Sequence, residues 1–454
     1  MKKKTNEVFE MHQETIAKIK DAGVVGAGGA GFPTHVKVST AVNTIVVNGA
    51  ECEPLLRVDQ QLMDVMAVEM IKGLEVVIAI TGAQEGVIAL KAKHTKVITV
   101  LEELIAKKPI RIHILDDFYP AGDEHVTLYE ATGRLIPQGG IPVKVDCIVI
   151  NVETLINVYN ASQGKSVTHS YLTVTGEVTT PVTIKMPIGA TVKEALEVAG
   201  VKISPNLVVI DGGPMMGKIL EDLGQPVTKT TKGLIVLTED HQLVKKRRMS
   251  PAKIIRQTKA ACIQCRYCTD LCPRYLLGHE LEPHKIMRLI RNFQSQDKVM
   301  KMAMICSECG VCEQYACIMH LSPKTINAML KQEFWQKGIK ANDPPQEQHI
   351  NKVREHRKIP VKRLISRLGL TKYDVYAPLI EKEVVVDKVC IKLKQHVGVP
   401  SIPTVKTGQI VQVGNEIASI PENALGANIH ASITGKVTEI TEDSIVITRI
   451  EGGK

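Results

Sequence analysis

The sequence predicts a multidomain α/β protein with a helical cysteine-rich segment and an all-β C-terminal module. Three observations predict it. Strand and helix patterns alternate through the first third of the chain, as in a mainly parallel sheet. Eight of the eleven cysteines crowd between Cys262 and Cys317. From residue 384 onward, short strand patterns and glycine turns replace the helices. The 454 residues suit roughly three domains at about 150 residues each.

Composition excludes several classes. Lys+Arg is 57 against 48 Asp+Glu, a formal charge of +9, with 44% hydrophobic and 23% charged residues. Those values suit a folded chain, not a disordered or collagen-like one. Aromatics are only 3%, too few for base-stacking platforms, so no nucleic-acid partner is expected. No apolar run approaches the roughly 18 residues of a membrane span, so no transmembrane segment is expected. The longest runs, such as 76–80, have the size of buried strands. The N-terminus MKKKTNEVFEMHQ carries charges but no apolar secretory core, which points to the cytoplasm. Residues 7–20 read as a helix capping the first domain or as an amphipathic targeting helix. Lys245-Lys246-Arg247-Arg248 reads as a solvated linker or an anionic partner site.

In the first domain, strands are expected at 44–47, 75–80, 87–90, 110–115 and 147–151, with helices at 60–72 and 96–107. Residues 25–37 read VGAGGAGFPTHVK. Gly26, Gly28, Gly29 and Gly31 either leave N–H groups free to face a phosphate or make tight turns. The run is not G-x-G-x-x-G after a strand, and no Walker Lys follows. The strand at 44–47 leads into Asn48-Gly49-Ala50-Glu51-Cys52-Glu53-Pro54. Acids at a strand's C-terminal end sit where open α/β sheets bind ligands.

Residues 168–237 read as a small β-rich module, with a strand at 171–178, a helix at 192–199, a strand at 207–211 and a turn-rich loop at 212–217. The cysteine segment follows. Cys262-x2-Cys265-x2-Cys268-x3-Cys272-Pro273 has the bacterial ferredoxin spacing, and Cys306-x2-Cys309-x2-Cys312-x4-Cys317 nearly repeats it. Three thiolates two residues apart wrap three corners of a cubane, and the fourth arrives from elsewhere. In two-cluster ferredoxins the fourth Cys of each run serves the other cluster. One [4Fe–4S] cluster is therefore expected on Cys262, Cys265, Cys268 and Cys317. The second is expected on Cys306, Cys309, Cys312 and Cys272. The alternative, two structural zinc sites, normally uses CxxC pairs across a longer loop. A helix is expected over 283–304, with Ile286, Leu289, Ile290 and Phe293 on one face. Tandem clusters move electrons one at a time and need an entry and an exit. Cys147 and Cys390 lie in apolar runs and read as core thiols.

Residues 336–383 are polar and Lys-rich and read as a linker wrapping the core, with a helical patch at 361–368. His320, His349 and His356 have no ligand spacing. Residues 384–454 fit a barrel-sandwich module of the kind found in biotinyl and lipoyl carriers. The hairpin at 414–420 has no tip Lys, so it is not a carrier.

The run GAGGAGFPTHVK followed by NGAECEP resembles the FMN- and NADH-binding flavoprotein subunit of respiratory complex I. It is still more similar to the RnfC protein of Rnf electron-transport complexes. Two further blocks match in order: Tyr119-Pro120-Ala121-Gly122-Asp123-Glu124 with Thr132-Gly133-Arg134, and Asn151-Val152-Glu153-Thr154. The resemblance implies a Rossmann-like FMN/NADH-binding domain at 1–167 and a β-grasp (SLBB-type) module at 168–237. A helical two-cluster ferredoxin domain at 250–335, the linker at 336–383 and a barrel-sandwich hybrid at 384–454 complete it. By the same resemblance FMN lies on Gly26, Gly28, Gly29 and Gly31, with Lys37 on its phosphate. Asn48, Glu51, Asn151 and Thr154 hold its ring and ribityl chain. Phe32 stacks on NADH, and Glu53 and Glu124 bind its ribose hydroxyls, which disfavours NADPH. Tyr119, Gly122, Asp123 and Glu153 belong to the same cofactor-binding blocks. Two positions depart from the family: Ala27 stands where it carries Arg, and Ala50 where it carries Asp.

RnfC proteins carry the barrel-sandwich module at the N-terminus, whereas here it stands last. That order resembles the cobalamin reductase family of bacterial propanediol-utilisation microcompartments. It implies electron flow from NADH through FMN and two clusters to a corrinoid substrate or a protein acceptor. Microcompartment enzymes or an adenosyltransferase would be partners, in the cytoplasm or inside a microcompartment shell. The rival readings are an Rnf-type subunit linking NADH to ferredoxin or quinone, and a subunit that binds no NADH and feeds another reductase.

Overall fold

The computed structural model describes residues 2–290, 298–380 and 383–450. The first domain is built on a four-stranded parallel sheet. Its spatial order is Ile110–Leu115, Glu85–Lys91, Thr44–Gly49, Cys147–Asn151. Side chains alternate across the central strand. Ile45 and Val47 enter one core and Val46 the other, as period two requires. On the first face, helices Ala67–Thr81 and Val152–Ser162 pack so closely that a Cβ on Gly73 would lie 2.0 Å from the Leu155 carbonyl oxygen. On the second face helix Glu124–Thr132 supplies Val126 and Leu128. The N-terminal helix Lys2–Asp21 buries Ile19 completely in the first core.

One expectation fails here. Residues 75–80 are the end of helix Ala67–Thr81, not a strand, and the helix stops at Gly82 in the left-handed region (φ 68°). A short β-branched run fits a buried helix as well as a strand. Burial of Leu74 and Val77 under the neighbouring helix decides for the helix.

The β-grasp module has a five-stranded sheet ordered Val182–Pro187, His169–Gly176, Gly233–Thr238, Leu207–Asp211, Lys218–Leu220. Its two central strands are parallel and its other pairs antiparallel. Helix Val192–Val198 starts on a reciprocal capping box of Thr191 and Glu194. The cysteine-rich domain is a set of short helices closed by helix Pro323–Gln336. The helix expected over 283–304 is described as Pro283–Leu289 and Lys298–Lys301; Phe293 lies outside the described residues.

The segment after residue 336 is a strap. Gln348 donates to the carbonyls of Ile136 and Leu277, and strand Ile359–Pro360 pairs with Phe118–Tyr119 of the first domain. The last module is two small sheets, one of four strands and one of three. Residues 414–420 form a turn and the strand Glu416–Ser419 in the middle of the smaller sheet. A buried ammonium ties three modules together: Lys229 Nζ donates to Gly23 O (2.6 Å) and Asn428 O (2.8 Å). Among the described residues no helix is long and apolar enough to cross a membrane.

Candidate functional site

The strand order places a topological switch point between Thr44–Gly49 and Cys147–Asn151. Open α/β sheets bind ligands outside the C-terminal ends of such strands. Asn48 and Asn151, register partners on these strands, stand at that point. Two cavities of about 560 and 530 Å³ meet there and share Gly28, Gly29, Asn48, Gly122 and Asn151 as wall. Both lie within the roughly 300–1,000 Å³ range of ligand sites.

The second cavity is the glycine-loop side, lined by Gly26, Gly31, Phe32, Lys37, Glu124 and Thr154. Gly26 N donates to Phe32 O (2.9 Å), closing the loop, and Ala27 N donates to Thr154 Oγ1 (3.0 Å). Ala27 is buried, so its small side chain fits under the loop. A Cβ on Gly28 would lie 2.9 Å from Asn151 Nδ2, whereas one on Gly29 would meet nothing within 4 Å and would project into open space. Lys37 Nζ donates to Val149 O (2.9 Å) and lies 3.6 Å from Glu124 Oε1, which leaves it further donors. A bare-backbone cradle beside an ammonium fits the phosphate end of a flavin. Gly29→Val should fill the cradle and weaken FMN binding at least about tenfold, ~1.4 kcal/mol. The flavin-to-protein absorbance ratio of the folded variant checks this.

The first cavity is acidic, with Glu51, Glu53, Asp59, Asp123 and Asp211 in its wall. Asn151 Oδ1 caps helix Val152–Ser162 by accepting from Glu153 N (2.9 Å), and its Nδ2 donates to both Asp59 oxygens (2.9 and 3.0 Å). Glu51 sits in the left-handed region (φ 40°) and accepts from Gln60 N (2.8 Å). Burial pushes both carboxyls up, and the charge of Glu51 pushes Asp59 further.

The structure brings most of the expected residues to these two cavities and redirects four. Both Glu53 oxygens are taken by the β-grasp loop: Oε2 accepts from Met215 N and Oε1 from Met216 N, each at 2.9 Å. Gly213 must lack a side chain, since a Cβ there would lie 2.0 Å from Glu53 Oε2. Burial raises Glu53 to about 7, against the pull of those N–H groups and Arg247. Arg247 clasps the same loop through Pro214 O and Gly217 O. Glu153 lines neither cavity; it is buried beside Lys232 Nζ at 2.5 Å. Asp123 caps helix Glu124–Thr132 and pairs with Arg274 (2.5 Å). The Tyr119 hydroxyl donates to Cys309 O (2.6 Å). Asp59, Lys232 and Arg274 carried no signal in the sequence, and the loop at 212–217 showed there only as turn-rich, because each acquires its role from a partner distant in the chain.

The thiols fall into two sets of four. Cys262, Cys265, Cys268 and Cys317 line one small pocket, and Cys272, Cys306, Cys309 and Cys312 another. The two runs share a backbone: Gln264 and Arg266 in the first, Glu308 and Gly310 in the second, all have positive φ (57°, 72°, 59°, 79°). This curls each loop around its pocket and aims donors at sulfur. Gln264 Nε2 lies 3.2 Å from Cys262 Sγ, Glu308 N 3.4 Å from Cys306 Sγ and Leu321 N 3.3 Å from Cys317 Sγ. Among the described residues no group of three His, Cys, Asp or Glu side chains is arranged to hold a single metal ion. Four thiols around a void, with N–H groups on sulfur, fit a cluster. Ser307 and Cys309 of the second set also line the acidic cavity.

Comparison with known proteins agrees module by module. Residues 19–160 match the Nuo51 FMN-binding domain, 171–218 the SLBB domain, 261–322 a 4Fe-4S dicluster domain and 372–449 the RnfC barrel sandwich hybrid domain. The cobalamin reductase PduS of Citrobacter freundii is 46% identical, over 95% of this chain and 96% of its own. That of Salmonella typhimurium is 44% identical over the same shares. A component of the Na(+)-translocating ferredoxin:NAD(+) oxidoreductase complex of Acetobacterium woodii is 34% identical over 59% of each chain. The chain is an oxidoreductase with FMN and iron–sulfur cofactors.

Proposed function

The chain belongs to the cobalamin reductase PduS family, and from that premise we propose that it passes electrons from NADH through FMN and two [4Fe–4S] clusters to a corrinoid, cob(III)alamin first. One observation carries the reading. The acidic cavity is walled at once by the switch-point residues, the β-grasp loop and Cys309, so the flavin site and the nearer thiol set share a wall. FMN, when bound, supplies the conversion between a two-electron hydride donor and one-electron carriers.

The chain's own residues do the rest. The glycine loop and Lys37 hold the flavin phosphate, and Asn48, Asn151 and Thr154 hold its ring and ribityl chain. Phe32, 37% exposed on the cavity rim, and Glu124 receive NADH. Glu53 stays on the β-grasp loop and ties that loop to the cavity wall. Burial raises both Asp59 and Glu51, and the charge of Glu51 raises Asp59 further, so a proton stays on this wall to higher pH than on a free carboxyl. Asp59→Asn should therefore remove the ionisation that this acid contributes to the pH profile of flavin reduction by NADH, followed by stopped-flow absorbance. An unchanged profile would show that the proton resides elsewhere. One cluster sits on Cys262, Cys265, Cys268 and Cys317, the other on Cys272, Cys306, Cys309 and Cys312. In the cell it would work in the cytoplasm or within a microcompartment, beside the enzymes that use the reduced corrinoid.

The test mixes anoxically purified, FMN-loaded protein with NADH and cob(III)alamin and follows the corrinoid spectrum. Reduction that needs both protein and NADH supports the reading. If NADH bleaches flavin and clusters while the corrinoid stays oxidised, the acceptor is wrong.

A further inference from the structure

The thiol set remote from the flavin cavity, Cys262, Cys265, Cys268 and Cys317, lies at the surface. Cys262, Cys265 and Cys317 are partly exposed. Four large apolar side chains stand in solvent beside them: Ile263 (58% exposed), Tyr267 (46%), Ile318 (48%) and Met319 (40%). Each lies within two positions of one of these thiols in the chain, and Ile263 and Met319 line the pocket itself, an apolar collar by that proximity. Single exposed apolar residues are ordinary, but a contiguous group beside a redox centre marks a contact surface.

Charge says what the contact takes. Between Asp240 and Asp270 the chain has no acid and eight cations. Two of the eight turn inward: Lys246 Nζ donates to Glu313 O and Arg247 holds the β-grasp loop, while Arg248 pairs with Glu239 at the surface. Within the run Lys245–Arg248, Lys246 and Arg247 thus join modules, while Lys245 and Arg248 stay in solvent. The remaining cations face out. Lys253, Arg256 and Lys259 are exposed on helix Pro251–Ala261, which carries no acid and runs directly into Cys262. Exposed Arg266 lies inside the collar, with Asp270 as its ion-pair partner. At 1.5 Å per residue, Lys253 is only about 14 Å from Cys262 along the helix, within one docking footprint.

We propose that this face docks a protein acceptor: a one-electron carrier whose own redox centre is ringed by acidic side chains. The apolar collar excludes water at the crossing point, and the cationic helix steers the approach. Each encounter oxidises this chain's surface centre by one electron and reduces the partner's by one; NADH replenishes the pair. The inference rests on the proposed cluster ligands, not on the identity of the hydride donor.

The probe is an acidic plant-type ferredoxin, with basic cytochrome c as counter-probe, each titrated by biolayer interferometry against the holoprotein with its iron content measured. Ferredoxin should bind with an association rate that falls at least about tenfold between 20 and 300 mM salt. Lys253→Glu with Arg256→Glu should cost a similar factor, and Ile263→Ser with Ile318→Ser should speed dissociation, all with iron retained. Binding that ignores salt and charge reversal, or equal binding of cytochrome c, overturns the proposal. So does self-association of the chain that Ile318→Ser abolishes in sedimentation. Iron missing from the wild-type protein would overturn the ligand assignment instead.

Discussion

Replacing Arg274 by Met should destabilise the protein by about 3–5 kcal/mol, the cost of leaving a buried charge without its partner. Arg274 and Asp123 are each 10% exposed and lie 2.5 Å apart, one from the cysteine-rich domain and one from the flavin domain. Burial alone would raise the Asp123 carboxyl. The Arg274 charge and hydrogen bond outweigh that and hold it below its ordinary value, with help from His125 and the Val126 N–H. The sign of the pH dependence follows. In the wild type the folded pKa lies below the unfolded one, so this contribution is complete above about pH 4 and is lost as pH falls further. In Arg274→Met burial dominates and the folded pKa rises above the unfolded one. The variant should then lose stability as pH rises from about 4 toward neutrality, the reverse of the wild-type trend. Anaerobic urea denaturation at pH 5 and pH 8 checks both. Adding Asp123→Asn to Arg274→Met should recover much of the loss, because the orphaned charge goes with it. A small, pH-independent loss would mean that water reaches Asp123 and that the pair is only a surface contact.

The same pair shows what a sequence displays and what it hides. The glycine run and Asn48-Gly49-Ala50-Glu51 announced the site because their demands are local: bare backbone near a ligand, and acids where a strand ends. Cysteine spacing announced the iron–sulfur segment for the same reason. Arg274 gave no such sign. It follows Cys272-Pro273, and its partner is 151 positions earlier. Glu53 misled for the same cause: its place in a recognised block suggested a sugar hydroxyl, while the loop that occupies it lies 162 residues away. Residues 75–80 misled differently, since apolar β-branched runs are ambiguous until their neighbours are known. Local backbone requirements are legible in sequence; the pairing of buried charges across modules is a property of the assembled fold.

That distinction makes the thiol assignment the sharpest remaining test. Neighbours in sequence would place Cys272 with Cys262, Cys265 and Cys268; the fold places it with Cys306, Cys309 and Cys312. The reason is geometric. Cys272 stands at the start of the short helix Pro273–Leu276, whereas Cys317 follows the helical turn Val311–Ala316, and each fourth thiol lines the pocket of the other run. Cys272→Ala and Cys306→Ala should therefore lose the same cluster, and Cys317→Ala and Cys262→Ala the other. Each variant should fall from about eight irons per chain to about four. Dithionite-reduced electron paramagnetic resonance spectra should match within each pair and differ between pairs. Function should divide likewise. The Cys272 and Cys306 variants lose the set that borders the flavin cavity, so NADH should still bleach their flavin while the surviving cluster stays oxidised. The Cys262 and Cys317 variants keep that set, so NADH should still reduce the remaining cluster, but transfer to cob(III)alamin should collapse by at least about a hundredfold, ~2.7 kcal/mol. If Cys272→Ala instead matches Cys262→Ala in spectrum and in electron flow, each run ligates its own cluster, and the shared wall at Cys309 no longer explains the route.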